Sequence, residues 1–317
     1  MSKKDLISKE FFRTPEHFAD TCNGILFNGT EVIKPWELSE SDTEYRFVSR
    51  QDKKSIVDIA KRWNKNNTTI SLIVSENQTN TDYAMVFRNM LSESLMYNKQ
   101  LTDRVKEHRD KKDLITDSEF VSGIKKDDKF IPIITIVLYL GREKWDGVTE
   151  LCGMLEIDDS LKPYVTNHKI NLYDYNDYNH YDVFKTDVRL AFTALSSHKD
   201  GKKLKQLFSG DNKVISPDTM RFIGTMLDMK NIDDYIIVNE EGEEEGQMCE
   251  AVRELMEEGR EEGIKEGIKE GIKKGKVKGI ISTCKSLGTS KDTAVTQVMQ
   301  QLEIEEQEAR RLVGLEW

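Results

Sequence analysis

Residues 54–78 read KSIVDIAKRWNKNNTTISLIVSENQ. An apolar-rich segment at 54–62 is followed by a polar turn with Asn64, Asn66 and Asn67. A second segment at 68–76, TTISLIVSE, is rich in β-branched residues. Strand, turn and strand in this order predict a hairpin. Asp58 falls within the first expected strand, and Glu76 and Gln78 fall at the end of the second. Residues two apart on a strand share a face, so Glu76 and Gln78 address one site, and pairing brings Asp58 beside them. Two carboxylates at one site repel unless a cation lies between them. Carboxylate oxygens suit Mg2+ or Mn2+, and the Asn77 carbonyl is a further oxygen at that place. Acids at the end of an apolar strand are costly unless they are used. Gln78 carries no charge; its amide can orient a water but cannot serve as a base.

Outward from the hairpin, helices alternate with apolar strands, which indicates an α/β core. Phe18, Cys22, Ile25 and Leu26 recur at helical spacing over 15–28, with Thr14 as N-cap, Pro15 at the first helical position and Asn28-Gly29 as the stop. A helix is expected over 82–100, capped by Asp82. The run FIPIITIVLYL at 130–140 is the strongest strand, apolar throughout as in a strand covered on both faces. Another strand is expected at 168–173, and further helices at 183–196, 202–208 and 217–228.

The composition changes at residue 240. Three regions are expected: a core at 1–239, a charged glycine-repeat segment at 240–279, and a small helical module at 280–317. Glycine recurs every fourth residue at 259, 263, 267, 271, 275 and 279, with Ile264, Ile268 and Ile272 beside it. A period of four lays the glycines along one slowly drifting ridge of a helix, which permits close approach of a second helix, within the chain or in a homodimer. A flexible charged tether is the competing expectation, since each glycine costs a helix about 1 kcal/mol. In the terminal module Leu287-Gly288 ends one helix, Ser290 caps the next at 291–302, and a last covers 304–313.

The 317 residues are 37% hydrophobic and 33% charged, with a formal net charge of −10. That balance argues against a surface that coats polyanions non-specifically, though a local basic groove or bound metal can still hold DNA. Cys22, Cys152, Cys249 and Cys284 form no CxxC pair, so neither a zinc site nor a disulfide framework is expected. The N-terminus lacks an apolar signal core, and the longest apolar run is too short for a membrane span. The expectation is a cytoplasmic protein.

The stretches DIAKRW (58–63), ISLIVSENQTNTDYAMVFRNML (70–91) and MYNKQ (96–100) resemble the bacterial recombination-promoting nuclease and transposase-like family of the PD-(D/E)XK superfamily. FADTCNGILFNGTEVIKPWEL at 18–38, EFVSGIKKDDKFIPIITIVLYLGREKWDG at 119–147 and the EGxx tail resemble the same family, so the likeness runs along nearly the whole chain. The resemblance implies a restriction-endonuclease-like mixed sheet flanked by helices, followed by an α-helical C-terminal tail. It implies a Mg2+- or Mn2+-dependent DNA endonuclease linked to recombination or mobile elements. Asp58 matches the motif aspartate, and Glu76 and Gln78 match an E-x-Q that replaces E-x-K. Asp58, Glu76 and Asn77 are the expected metal ligands. Arg88 matches an arginine on the following helix and is expected to grip DNA, or else to pair with Glu93. Asp20 is the expected acid from the first helix, with Glu16 as alternative; Asp5 lies near an early family aspartate. Val57, Ser92 and Met85-Val86 depart from the family's usual Arg, Tyr and Met-Pro. A second reading is a catalytically weak or inactive DNA-binding protein that self-associates through its tail, for example in phage defence.

Overall fold

The computed structural model describes residues 3–47, 53–75, 81–177, 180–209, 215–239, 242 and 244–317. The fold is mixed α/β, in two compact units, 1–251 and 252–317.

The first unit is built on five strands: β1 (Leu38–Glu40), β4 (Ile59–Trp63), β5 (Thr68–Ser75), β6 (Ile133–Tyr139) and β7 (Asn171–Asp174), in the spatial order β1-β4-β5-β6-β7. β1, β4 and β5 form an antiparallel meander, with Ile59 opposite Leu72. β6 and β7 add in parallel, with Ser75 opposite Tyr139. Parallel neighbours need a crossover. The helix α3 (Met85–Lys111) lies between β5 and β6 in the chain and packs against the sheet.

The expected 54–62 strand is broken. β3 (Lys53–Ile56) pairs with β2 (Glu44–Phe47) in a separate two-stranded sheet, and the main sheet is entered only at Ile59. Asp58 therefore stands at the bend between β3 and β4 rather than inside a strand.

One sheet face is covered by α3. Met85, Val86, Leu95 and Met96 pack there with Val57, Ala60, Val137, Leu151 and Ile170. α1 (Lys3–Arg13) packs on β4 and β5, and with α2 (Pro15–Phe27), α5 (Asp187–Ser196) and α7 (Pro217–Met226), which pack on one another, it buries an aromatic cluster. Phe11 stacks on Phe222 at 4.3 Å, and Phe192 links Phe12, Tyr173 and Phe184. Gly24 of α2 lies against Phe184; a Cβ there would stand 2.2 Å from the ring, so only glycine allows this approach.

α2 has the expected cap, with the Thr14 hydroxyl accepting from His17 N and Asn28 left-handed at φ 50°. β6 and β7 also form as expected, in shorter spans. α1 and the helix α4 (Asp117–Ser122), whose Thr116 and Glu119 form a capping box, are additional. So is the hairpin of β8 (Ile236–Val238) and β9 (Glu244–Gly246). α6 (Gly201–Leu207) completes the first unit's helices between α5 and α7.

The far end of α3 is fastened by a histidine between two acids. His108 Nδ1 lies 2.8 Å from Asp113 and Nε2 lies 2.8 Å from Asp128. Arg104 and Lys125 hold the outer oxygens of the two carboxylates. Hydrogen bonds to Asp113 and Asp128 raise the His108 pKa above the ordinary value despite burial of the ring. The Lys125 and His108 hydrogen bonds bring Asp113 down to about 2. The histidine contribution is full below its unfolded pKa, about 6.5, and is lost as pH rises through the folded value. The Asp113 contribution is present above about 3.8 and is lost as pH falls towards 2. The expected result is that wild type loses melting temperature between pH 6 and pH 9 more steeply than His108→Gln. Parallel slopes would show that the imidazolium adds nothing.

The second unit begins in the long helix α8 (Met248–Ser286), so the glycine repeat is helical rather than a tether. α9 (Lys291–Leu302) starts at the expected Ser290 cap, and α10 (Glu306–Glu316) follows. Val277, Ile280, Ile281 and Cys284 of α8 pack against Ala294, Val295, Val298, Ala309 and Val313. Among the described residues no helix is long and apolar enough to cross a membrane.

Candidate metal centre at the end of β5

The carboxyl end of β5 gathers the charged groups. Because Ile59 faces Leu72, Asp58 lies at the same end of the sheet as Ser75, the last described residue of that strand. Glu76, Asn77 and Gln78 lie outside the described residues.

Asp58 meets a lysine. Lys9 Nζ of α1 stands 2.8 Å from Asp58 Oδ1 and 2.5 Å from Asp5 Oδ1. Asp5 and Lys9 are four apart on α1, the spacing that puts two side chains on one helix face. All three side chains are 15–22% exposed, so water screens them only in part. Burial lowers the Lys9 pKa, but its hydrogen bonds to Asp5 and Asp58, with their charges, outweigh that and hold it above the ordinary lysine value. Two carboxylates from distant parts of the chain thus converge on one cation.

Asp20 is elsewhere. It is 6% exposed, and its carboxylate accepts from Lys185 N and Thr186 N at 2.8–2.9 Å and from the Thr186 hydroxyl at 2.6 Å. It ties α2 to the start of α5, where Thr186 is the N-cap. The alternative, Glu16, shares with Asp20 the lining of a 220 Å³ cavity that includes Lys34 and Lys185 but none of Asp5, Lys9 and Asp58. The acid that joins Asp58 is Asp5, not Asp20 or Glu16. Asp20→Ala would strand two backbone donors and a hydroxyl, at a cost of about 2–4 kcal/mol. The expected result is a lower urea midpoint with unchanged activity per folded molecule. An unchanged midpoint with lost activity would return Asp20 to the chemistry.

Arg88 is 57% exposed and pairs with Asp82 at 2.5 Å, not with Glu93. Asp82 also accepts from Ala84 N, helping to start α3 although Ala84 is its formal cap. Glu93 lies instead near Asn89 and His168. Trp145 is a structural anchor: its ring meets Tyr139 edge-on at 5.2 Å, and its indole donates to the Gly147 carbonyl. The next residue, Asp146, accepts from the Tyr83 hydroxyl at 3.0 Å.

The donors at Asp5 and Asp58 are hard oxygens, which suit Mg2+ or Mn2+ in type. Among the described residues no group of three His, Cys, Asp or Glu side chains converges. Glu76, the carboxylate expected beside Asp58, lies outside that set. No local pattern marks Lys9 in the sequence, although its spacing from Asp5 is visible there. In comparisons with known proteins, no family model, no curated protein and no solved structure matches this chain.

Proposed function

We propose that the chain is a divalent-metal-dependent DNA endonuclease of restriction-endonuclease-like fold, hydrolysing phosphodiester bonds in recombination or in the movement of genetic elements. The observation that carries this reading is the convergence of Asp5 and Asp58 on the Lys9 ammonium at the carboxyl end of β5. A place where two carboxylates from separate elements hold one cation suits a second cation of higher charge. The antiparallel meander that passes through a helix into a parallel strand accords with the proposed fold.

In this reading Asp58 and Glu76, with the Asn77 carbonyl, hold the metal, and Asp5 on α1 shares the Lys9 ammonium with Asp58. Bound there, Mg2+ or Mn2+ would polarise the scissile phosphate and acidify a water. Gln78 orients that water through its amide. Lys9 offers positive charge to the phosphate, and Arg88 exchanges Asp82 for a backbone phosphate.

Supercoiled plasmid, nicked with Mg2+ and intact with EDTA, tests the reading. A second reading, DNA binding without cleavage, draws on the same ion pairs, because Lys9 already supplies a positive charge to both acids without metal. Retained DNA binding with no nicking under Mg2+ or Mn2+ would favour it.

A further inference from the structure

Residues 256–279 of α8 carry an apolar ridge that no described residue of its own unit covers. Ile264, Ile268 and Ile272 are 51%, 58% and 56% exposed, whereas Val277 on another face of the same helix is 2% exposed. A Cβ added at Gly259, Gly263, Gly267, Gly271, Gly275 or Gly279 would meet no atom within 4 Å outside the local helix backbone. Six glycines in one exposed helix oppose helix formation by about 1 kcal/mol each. The few Glu-to-Lys pairs along it, such as Glu270 with Lys274, return only tenths of a kcal/mol each. A covered ridge would offset the remainder.

The charge along this helix says what covers it. Residues 257–266 hold five glutamates against Arg260 and Lys265, and residues 269–278 hold five lysines against Glu270. The two halves meet at Ile268, the middle of the three isoleucines. A copy laid parallel would set acid on acid and base on base. A copy laid antiparallel about Ile268 sets each acidic half on a basic half and brings Ile264 opposite Ile272. The glycines beside the ridge let the two backbones approach.

We propose that α8 pairs antiparallel with α8 of a second copy of this chain, centred on Ile268, with the acidic half of each helix against the basic half of the other. The proposal is independent of any catalytic role for Asp58.

The test uses the full chain. Light scattering over about 1–100 μM compares wild type with Glu257, Glu261 and Glu262→Lys and with Lys269, Lys274 and Lys276→Glu. Wild type is expected at the mass of two chains. Each variant alone is expected to dissociate about 100-fold more readily, because like charges now face each other. An equimolar mixture of the two variants is expected to restore the paired mass, which also controls for misfolding. Chains carrying Ile264→Cys mixed with chains carrying Ile272→Cys should form the 264–272 disulfide on mapping by mass spectrometry. Wild type at single-chain mass throughout, a variant that stays paired alone, a mixture that fails to pair, or 264–264 links in place of 264–272 would each overturn the proposal.

Discussion

Asp58→Asn is expected to lower Mg2+-dependent plasmid nicking by at least about 100-fold while leaving the fold intact. The substitution keeps size and removes the charge that a divalent cation needs from its ligand. Asp58 lies at the bend between β3 and β4, with Lys9 beside it. An asparagine oxygen can still accept the Lys9 hydrogen bond, so only modest destabilisation follows. A fall in activity without a comparable fall in urea midpoint assigns the effect to chemistry. Equal nicking by wild type and variant would show that Asp58 holds no reacting group.

Lys9→Met has the second large effect, and its size depends on metal. Without the ammonium, Asp5 and Asp58 face one another with their shared counter-charge gone. Breaking a buried pair costs about 3–5 kcal/mol, and partial exposure reduces this to about 1–3 kcal/mol. In EDTA the variant is therefore expected to melt well below wild type. Mg2+ should recover much of the difference, since a ligand at about 100 times its Kd contributes about 2.7 kcal/mol. Wild type should respond less, because Lys9 competes for the same oxygens. A variant equally unstable with and without Mg2+ would mean that the two acids do not form a cation site. In nicking assays the same variant is expected to lose activity, with Lys9→Arg recovering part of it.

How far the residues announce their own structure depends on how their apolar groups are spaced. β5 and β6 were legible because β-branched residues predominate in both. α2 was legible because its cap, its first-turn proline and its αL stop are all local signals. α1 was not, because its buried face, Ser8, Phe11 and Phe12, is only one turn long and one of its members is polar, while most of the other residues are charged. The break at Asp58 was hidden because Ile56, Val57, Ile59 and Ala60 carry the apolar pattern straight across it; only pairing shows that β3 and β4 serve different sheets. The glycine helix opposed its own propensity, so the residues there left helix and tether open.

The site followed the same division. Asp58 was visible from the hairpin, but its partner was not, because Asp5 and Lys9 reach it through tertiary packing of α1. Asp20 is the expected acid only by its position on α2, the first helix that local signals mark. Its burial and the donors of Lys185 and Thr186 give it a structural task that no local pattern records.

Anomalous diffraction from crystals of the full chain soaked in Mn2+ would decide whether the carboxyl end of β5 binds a divalent cation. The expected result is a peak bonded to an Asp58 carboxylate oxygen at about 2.1 Å, with Glu76 on the same ion and Lys9 displaced from Asp58. Asp58 still paired with Lys9 and no peak at this end of the sheet, in crystals where Mn2+ is bound elsewhere, would contradict it.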